Sequence, residues 1–195
     1  MAADNFHRAY HRLEARMKSL AEAEGDIFLP NVAPTGPVDY VLIAMEPSLG
    51  RWANLAHHAA TQVAAGFRNF ISSVEDFLLH FSVQTYLCAP HERYHITDIS
   101  KGAMLVSAAG IARSDRYAKW YNLLSEELAI VARPNARVIA VGTAVAQHLA
   151  RSGFPRSVTK IIHKKGTGHH LGASSLICLM GDFNSWRVVQ PVGMP

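Results

Sequence analysis

The sequence predicts an α/β protein, a three-layer α/β/α sandwich around a short, mainly parallel central sheet. Three observations carry that prediction. Apolar runs bounded by turn residues alternate along the chain with segments of helical periodicity. The run Tyr40-Val41-Leu42-Ile43-Ala44-Met45 shows no polar alternation, as suits a strand covered on both faces. The 195 residues are 49% hydrophobic and 17% charged, enough apolar material for one well-filled core, so 1–195 reads as a single α/β domain.

The elements follow in order. Phe6, Tyr10, Leu13, Met17 and Leu20 recur at four- and three-residue steps, one face of an amphipathic helix. Asp4 or Asn5 can cap its start, and Gly25 can close its end. Pro30, Pro34 and Pro37 punctuate a loop before a strand over 38–45. Residues 51–70, rich in Ala and His, read as a loop with an irregular helix. Ser72-Ser73-Val74-Glu75 is a capping-box pattern that opens a helix carrying Phe77, Leu78 and Phe81. A second strand covers 94–98 and ends at Lys101-Gly102. Ser114-Asp115 caps a helix bearing Tyr117, Tyr121, Leu124, Leu128 and Val131, which stops at Pro134. A third strand covers 138–142, and a helix over 144–151 is closed by Gly153. Two apolar stretches remain, 158–162 and 176–180.

Composition narrows the function. The only cysteines, Cys88 and Cys178, are far apart, which argues against a disulfide framework, a zinc ribbon or a four-cysteine cluster and fits a reducing cytoplasm. No apolar run is long enough to span a bilayer, and the polar N-terminus does not read as a signal peptide. A net charge of +4, a pI near 9.2 and 11 histidines are compatible with a polyanionic partner. Neither a P-loop nor a dinucleotide-binding glycine pattern occurs. His57-His58 and His169-His170 are adjacent pairs, and His91 and His95 lie four apart. None has the His-Glu-x-x-His form, so no metal is expected.

Four stretches can carry chemistry. Glu46 ends the first strand, where ligands of parallel sheets sit, and Pro47 stiffens its turn. It reads either as a general base for a water or as a solvated turn residue. Ser48 and Gly50 follow in a tight loop whose amides suit a phosphate or a base. Asp98 ends the second strand and reads either as an acceptor for a base edge or as a cap; Lys101 reads as a phosphate contact or a solvated lysine. Phe67-Arg68-Asn69-Phe70 joins rings to an amide, the parts that stack on a flipped base and read its edge, although both rings suit a core equally. Ile162-His163-Lys164-Lys165-Gly166 is a cationic loop that can follow a nucleic-acid backbone or simply be an exposed hairpin; His163 can donate to a developing anion.

In this order, the pieces resemble the uracil-DNA glycosylase superfamily. Ala44-Met45-Glu46-Pro47-Ser48 is similar to its first motif, with Glu46 where the family places a water-activating Asp or Asn. Thr97-Asp98-Ile99-Ser100-Lys101 resembles its T-N-x-x-K strand end, with Asp98 where several branches carry Asn. Val138-Ile139-Ala140-Val141-Gly142-Thr143-Ala144-Val145-Ala146 is similar to its third strand, and Phe67-Arg68-Asn69-Phe70 to a segment of the mismatch-specific branch. The similarity spans about residues 38–187. The second signature motif falls either at His163 or within Gly181-Asp182-Phe183-Asn184-Ser185-Trp186-Arg187. The resemblance implies hydrolysis of the N-glycosidic bond of a deaminated or damaged base flipped from DNA, without a cofactor. Glu46 would activate water, Phe70 would stack on the base, and Asn69 or Asp98 would read its edge. His163 or Asn184 would stabilise the leaving base, and Ser48, Lys101, Lys164 and Lys165 would hold the backbone. The alternative is a non-catalytic nucleic-acid or nucleotide-binding module of the same fold.

Overall fold

The structure, a computed structural model, describes residues 2–47, 56–71, 73–103 and 113–161. Along the chain run α1 (Ala2–Ala23), β1 (Ile27–Phe28), β2 (Val38–Ala44), α2 (Ala56–Ala64), α3 (Val74–Tyr86), β3 (Tyr94–Asp98), β4 (Gly102–Ala103), α4 (Arg113–Val131), β5 (Ala132–Val141), α5 (Thr143–Arg151) and β6 (Val158–Ile161). The sheet has the order β3-β2-β5-β6, and every pairing in it is parallel. The alternation of strands with helices predicts such a sheet, and β2 is buried on both faces as its unbroken apolar run requires.

Strand periodicity sorts the core into two layers. Val41 and Ile43 of β2, with Val138 and Ala140 of β5, face α1, α4 and α5. Tyr40, Leu42, Ile96 and Ile139 face Val83 and Leu79 of α3. Helices therefore cover both faces, as the three-layer prediction requires. On the first face α1 buries Tyr10, Leu13, Met17 and Ala21, and α4 buries Tyr117, Trp120, Leu124, Leu128 and Val131. The small antiparallel pair β1–β4 packs with α2 through Leu29, Ala59 and Ala103.

Several boundaries differ from the sequence reading. α1 begins at Ala2, so Asp4 sits in its first turn, where a carboxylate suits the helix dipole, instead of capping it. It ends as expected at Gly25, whose φ of +73° is open to glycine without steric cost; the Asp26 amide folds back to the Ala21 carbonyl. The capping box of α3 is shifted by one residue: Ser73 and Asp76 cap each other, in place of Ser72 and Glu75. Phe77 and Phe81 stack on each other at its exposed surface, while Val83 is the residue it buries. α4 ends at Val131, and Pro134 lies inside β5 instead of stopping the helix. The register with β2 jumps from Val38↔Ala132 to Tyr40↔Arg137, so the proline sits in a bulge where its missing N–H breaks no ladder bond.

Topology also marks a crevice. The chain passes from β2 to β3 on one side, then returns past β2 to β5 on the other. The carboxyl ends of β2 and β5 therefore form the switch point at which open α/β sheets bind ligands. Replacing the fully buried Ile43 by Ala is expected to cost about 2–5 kcal/mol, because it opens a cavity between β2 and the α4 layer. Ser73→Ala removes only a cap, and about 1 kcal/mol is expected. Urea midpoints measure both.

Candidate functional site

Glu46 lies two residues beyond the end of β2, beside the switch point, and is half-buried. The chains of β2 and β3 stay paired past their strand ends: the Ile99 and Ser100 amides donate to the Ala44 and Met45 carbonyls. From the helical layer the Tyr117 hydroxyl donates to Glu46 Oε2. Tyr117 is buried near the start of α4, and the His148 ring meets its edge at a centroid distance of 5.1 Å. A carboxylate placed so can accept a proton from a water, with a phenol fixing its second oxygen.

Asp98 ends β3 and is 1% exposed. It does not present a free edge to a ligand, as the sequence reading allowed. Its Oδ2 accepts 2.8 Å hydrogen bonds from the Nδ2 atoms of both Asn31 and Asn69. Burial pushes the Asp98 carboxyl up to about 6, against the pull of Lys101 and of the two amides. Asn69 is also tied through its backbone, whose N–H donates to the Pro30 carbonyl. Phe70 follows with φ +63°, the left-handed region that a bulky residue rarely occupies. His80 holds it there: its Nε2 lies 2.8 Å from the Phe70 carbonyl and its Nδ1 2.8 Å from the Tyr94 hydroxyl. The carbonyl can only accept, so Nε2 carries the proton. Asn69, Phe70, His80 and Tyr94 line a pocket of about 210 Å³ along the edge of β3. Phe70 also packs on the Tyr40–Leu42 core, as the core reading of this ring has it. Asn69, Phe70 and Asp98 are thus brought together. Glu46 and Asp98 stand at the carboxyl ends of β2 and β3, whereas the pocket runs along Tyr94–Ile96, and neither carboxylate lines it.

Lys101 is not a phosphate contact: it is 2% exposed. Its three ammonium protons go to Thr97 Oγ1 at 2.5 Å, the Asp98 carbonyl at 2.6 Å and Glu127 Oε2 at 2.9 Å. Glu127, fully buried on α4, also receives the Thr97 hydroxyl and His95 Nε2, each at 2.9 Å. Burial alone would raise the Glu127 carboxyl, but Lys101 and His95 outweigh it and bring it down to about 2. The sequence reading missed Glu127, Asn31, His80 and the role of Tyr117. Glu127 had a signal: it is a carboxylate inside the apolar stripe of α4, between Leu124, Leu128 and Val131.

His163, Asn184, Ser48, Lys164 and Lys165 lie outside the described residues, as does the competition between 163 and 181–187 for the second motif. Among the described residues no three His, Cys, Asp or Glu side chains converge as a metal would need, and no helix is long and apolar enough to cross a membrane. No protein-family model matches the chain, and no curated protein sequence matches it.

The folded-state value of Glu127 lies below its ordinary 4.5, so its stabilisation is present above that pH and lost as pH falls towards about 2. Asp98 has the opposite sign: raised from 3.8 to about 6, it makes the folded state less stable as pH rises through that interval. Lys101→Met leaves Glu127 buried without its cation and is expected to cost about 3–5 kcal/mol near neutral pH. The loss should shrink as pH falls towards 4.5, where the unpaired carboxyl takes up a proton. Urea unfolding across pH measures it.

Proposed function

We infer that the protein is a DNA glycosylase-like hydrolase. It would cleave the N-glycosidic bond of a deaminated or damaged base, uracil or hypoxanthine among them, flipped from DNA. The observation that carries this reading is Glu46, half-buried beside the switch point of a parallel sheet with one oxygen held by Tyr117. Asp98, Asn69 and Phe70 sit at the neighbouring strand. The ordered resemblance of residues 44–48, 97–101 and 138–146 to the glycosylase motifs supports it.

The mechanism follows from these groups. Phe70, fixed at its unusual φ, stacks on the extruded base, and the Asn69 amide meets the base edge. Glu46 orients a water towards the sugar carbon and takes its proton as the bond to the base breaks. Negative charge leaves on the base, where His163 or Asn184 donates to it. Ser48, Lys164 and Lys165 hold phosphates of the strand; the overall basic balance of the chain favours such a partner. Lys101 has no part in this, because Glu127 and Thr97 hold it.

Glu46→Gln is expected to lower the rate of abasic-site formation by about 100-fold or more while leaving oligonucleotide affinity unchanged. The measurement pairs a cleavage assay on uracil-, hypoxanthine- and xanthine-containing strands with a binding titration across salt. Equal losses of rate and affinity reject Glu46 as the base. Wild-type protein that binds DNA with a steep salt slope and yields no abasic product is instead a binding module.

A further inference from the structure

We propose that the outer face of α3 is a self-association surface, on which a second copy of this chain packs its own α3 in the antiparallel sense about a twofold axis.

The helix is apolar on two opposite sides. Val83 and Leu79 turn inwards onto Tyr40, Leu42 and Ile96 of the sheet. Val74, Phe77, Leu78 and Phe81 recur at the three- and four-residue steps of a second stripe, the spacing of a face that packs against something. That stripe is bare: Val74 is 63% exposed, Phe77 67% and Phe81 46%. Phe77 and Phe81 stack on each other, with ring centroids 6.4 Å apart. Among the described residues six large apolar side chains stay exposed. Four of them, Val74, Phe77, Phe81 and Tyr86, lie on α3, and a fifth, Ile71, stands just before it. Exposed apolar residues scattered singly need no partner, but a concentration on one helix marks a contact site.

Charge selects the occupant. α3 carries Glu75 and Asp76 in its first turn and no Lys or Arg. A nucleic-acid backbone needs cations to meet its phosphates, and a helix lying in an anionic membrane surface needs them on its polar side. The face therefore suits a protein, and it suits itself. Its acids gather at its start, whereas His91 and Arg93, both exposed, follow its end. Arg93 lines a cavity with Gln84 of the last turn, so the basic group stays close to the helix. Turned end for end, one copy sets its acidic end beside the basic end of the other while stripe meets stripe. A parallel arrangement would set acid against acid.

The area is sufficient. The five exposed side chains leave about 500 Å² bare on each copy, so pairing removes about 1,000 Å² from water, the lower bound of a specific interface. A contact of that size is reversible, with a dissociation constant on the order of 10 μM.

The test is sedimentation velocity of the full chain from about 1 μM to about 300 μM. The expected result is a shift from monomer to dimer across that range and no larger species, because a twofold contact closes on itself. Phe77→Asp and Phe81→Asp are each expected to raise the dissociation constant by about 100-fold or more. Both side chains project outwards, so the urea midpoints of the variants at about 1 μM, where the wild type is monomeric, should match it. A wild type that stays monomeric throughout overturns the proposal. So does a dimer that both variants leave intact, or assembly that continues beyond two copies. If the monomeric wild type binds an oligonucleotide or phosphatidylserine vesicles and Phe77→Asp abolishes that binding, the face belongs to those partners and the proposal falls. Should a variant fail to fold, the wild-type concentration series decides alone.

Discussion

The carboxylate of Glu127 is fully buried from bulk solvent, and its neighbours are arranged to satisfy it. Lys101 brings a full positive charge, Thr97 a hydroxyl and His95 a ring N–H. Burying an isolated charge costs several kcal/mol, so the group is tolerable only when every partner is in place. That condition couples three parts of the chain. α4 carries the carboxylate, β3 carries Thr97 and His95, and the turn after β3 carries Lys101. An apolar residue at 127 could pack between sheet and helix, but it would place no directional demand on the strand end. The ion network places one.

The consequences run in both directions along the elements it joins. Lys101 spans from Glu127 to the backbone carbonyl of Asp98, so the end of β3 is fixed relative to α4. Asp98 in turn holds Asn31 and Asn69, whose backbones bridge each other beside the end of β3. At the other end of α4, Tyr117 reaches Glu46 beyond β2. One helix anchored by one buried charge thus sets the positions of two carboxylates at the same sheet edge. Asp98 and Glu127, both buried, differ in character for a physical reason. Burial raises Asp98 to about 6 against the pull of Lys101 and two amides, whereas Glu127 bonds the Lys101 ammonium directly and falls to about 2. Glu46, beyond the end of β2, is half-buried and accepts from the Tyr117 hydroxyl.

The strained Phe70 belongs to the same design. A non-glycine residue at φ +63° persists only where its surroundings hold it, here His80 on its carbonyl and Asn69 tied to Asp98 before it.

Much of the architecture was legible in the residues themselves. The stripe of α1, the apolar run of β2, the α4 face and the Gly25 and Gly153 stops all depend on local periodicity and backbone preference, which a sequence states directly. The placing of Glu46 and Asp98 at neighbouring strand ends was legible too, because strand ends in parallel sheets gather at one edge; a common cavity for Glu46, Asp98 and Phe70 was expected from the same pattern, and the pocket that holds Phe70 includes neither carboxylate. What each polar side chain does there was not. Lys101 and Asp98 read as ligand contacts because charged residues next to a glycine turn are usually solvated. Their actual partners stand at Glu127, Asn31 and Asn69, on other elements of the fold. The capping register of α3 and the bulge at Pro134 escaped for the same reason on a smaller scale, since packing shifts a boundary by a residue or more at little local cost. Sequence alone determined the main strands and helices and which strand ends carry an acid, while the short pair β1–β4 and the start of β5 at Ala132 were not read from it. Only the tertiary structure decided which of those groups are turned inwards to satisfy one another and which are left to face a ligand, because that depends on burial and on partners distant in the chain.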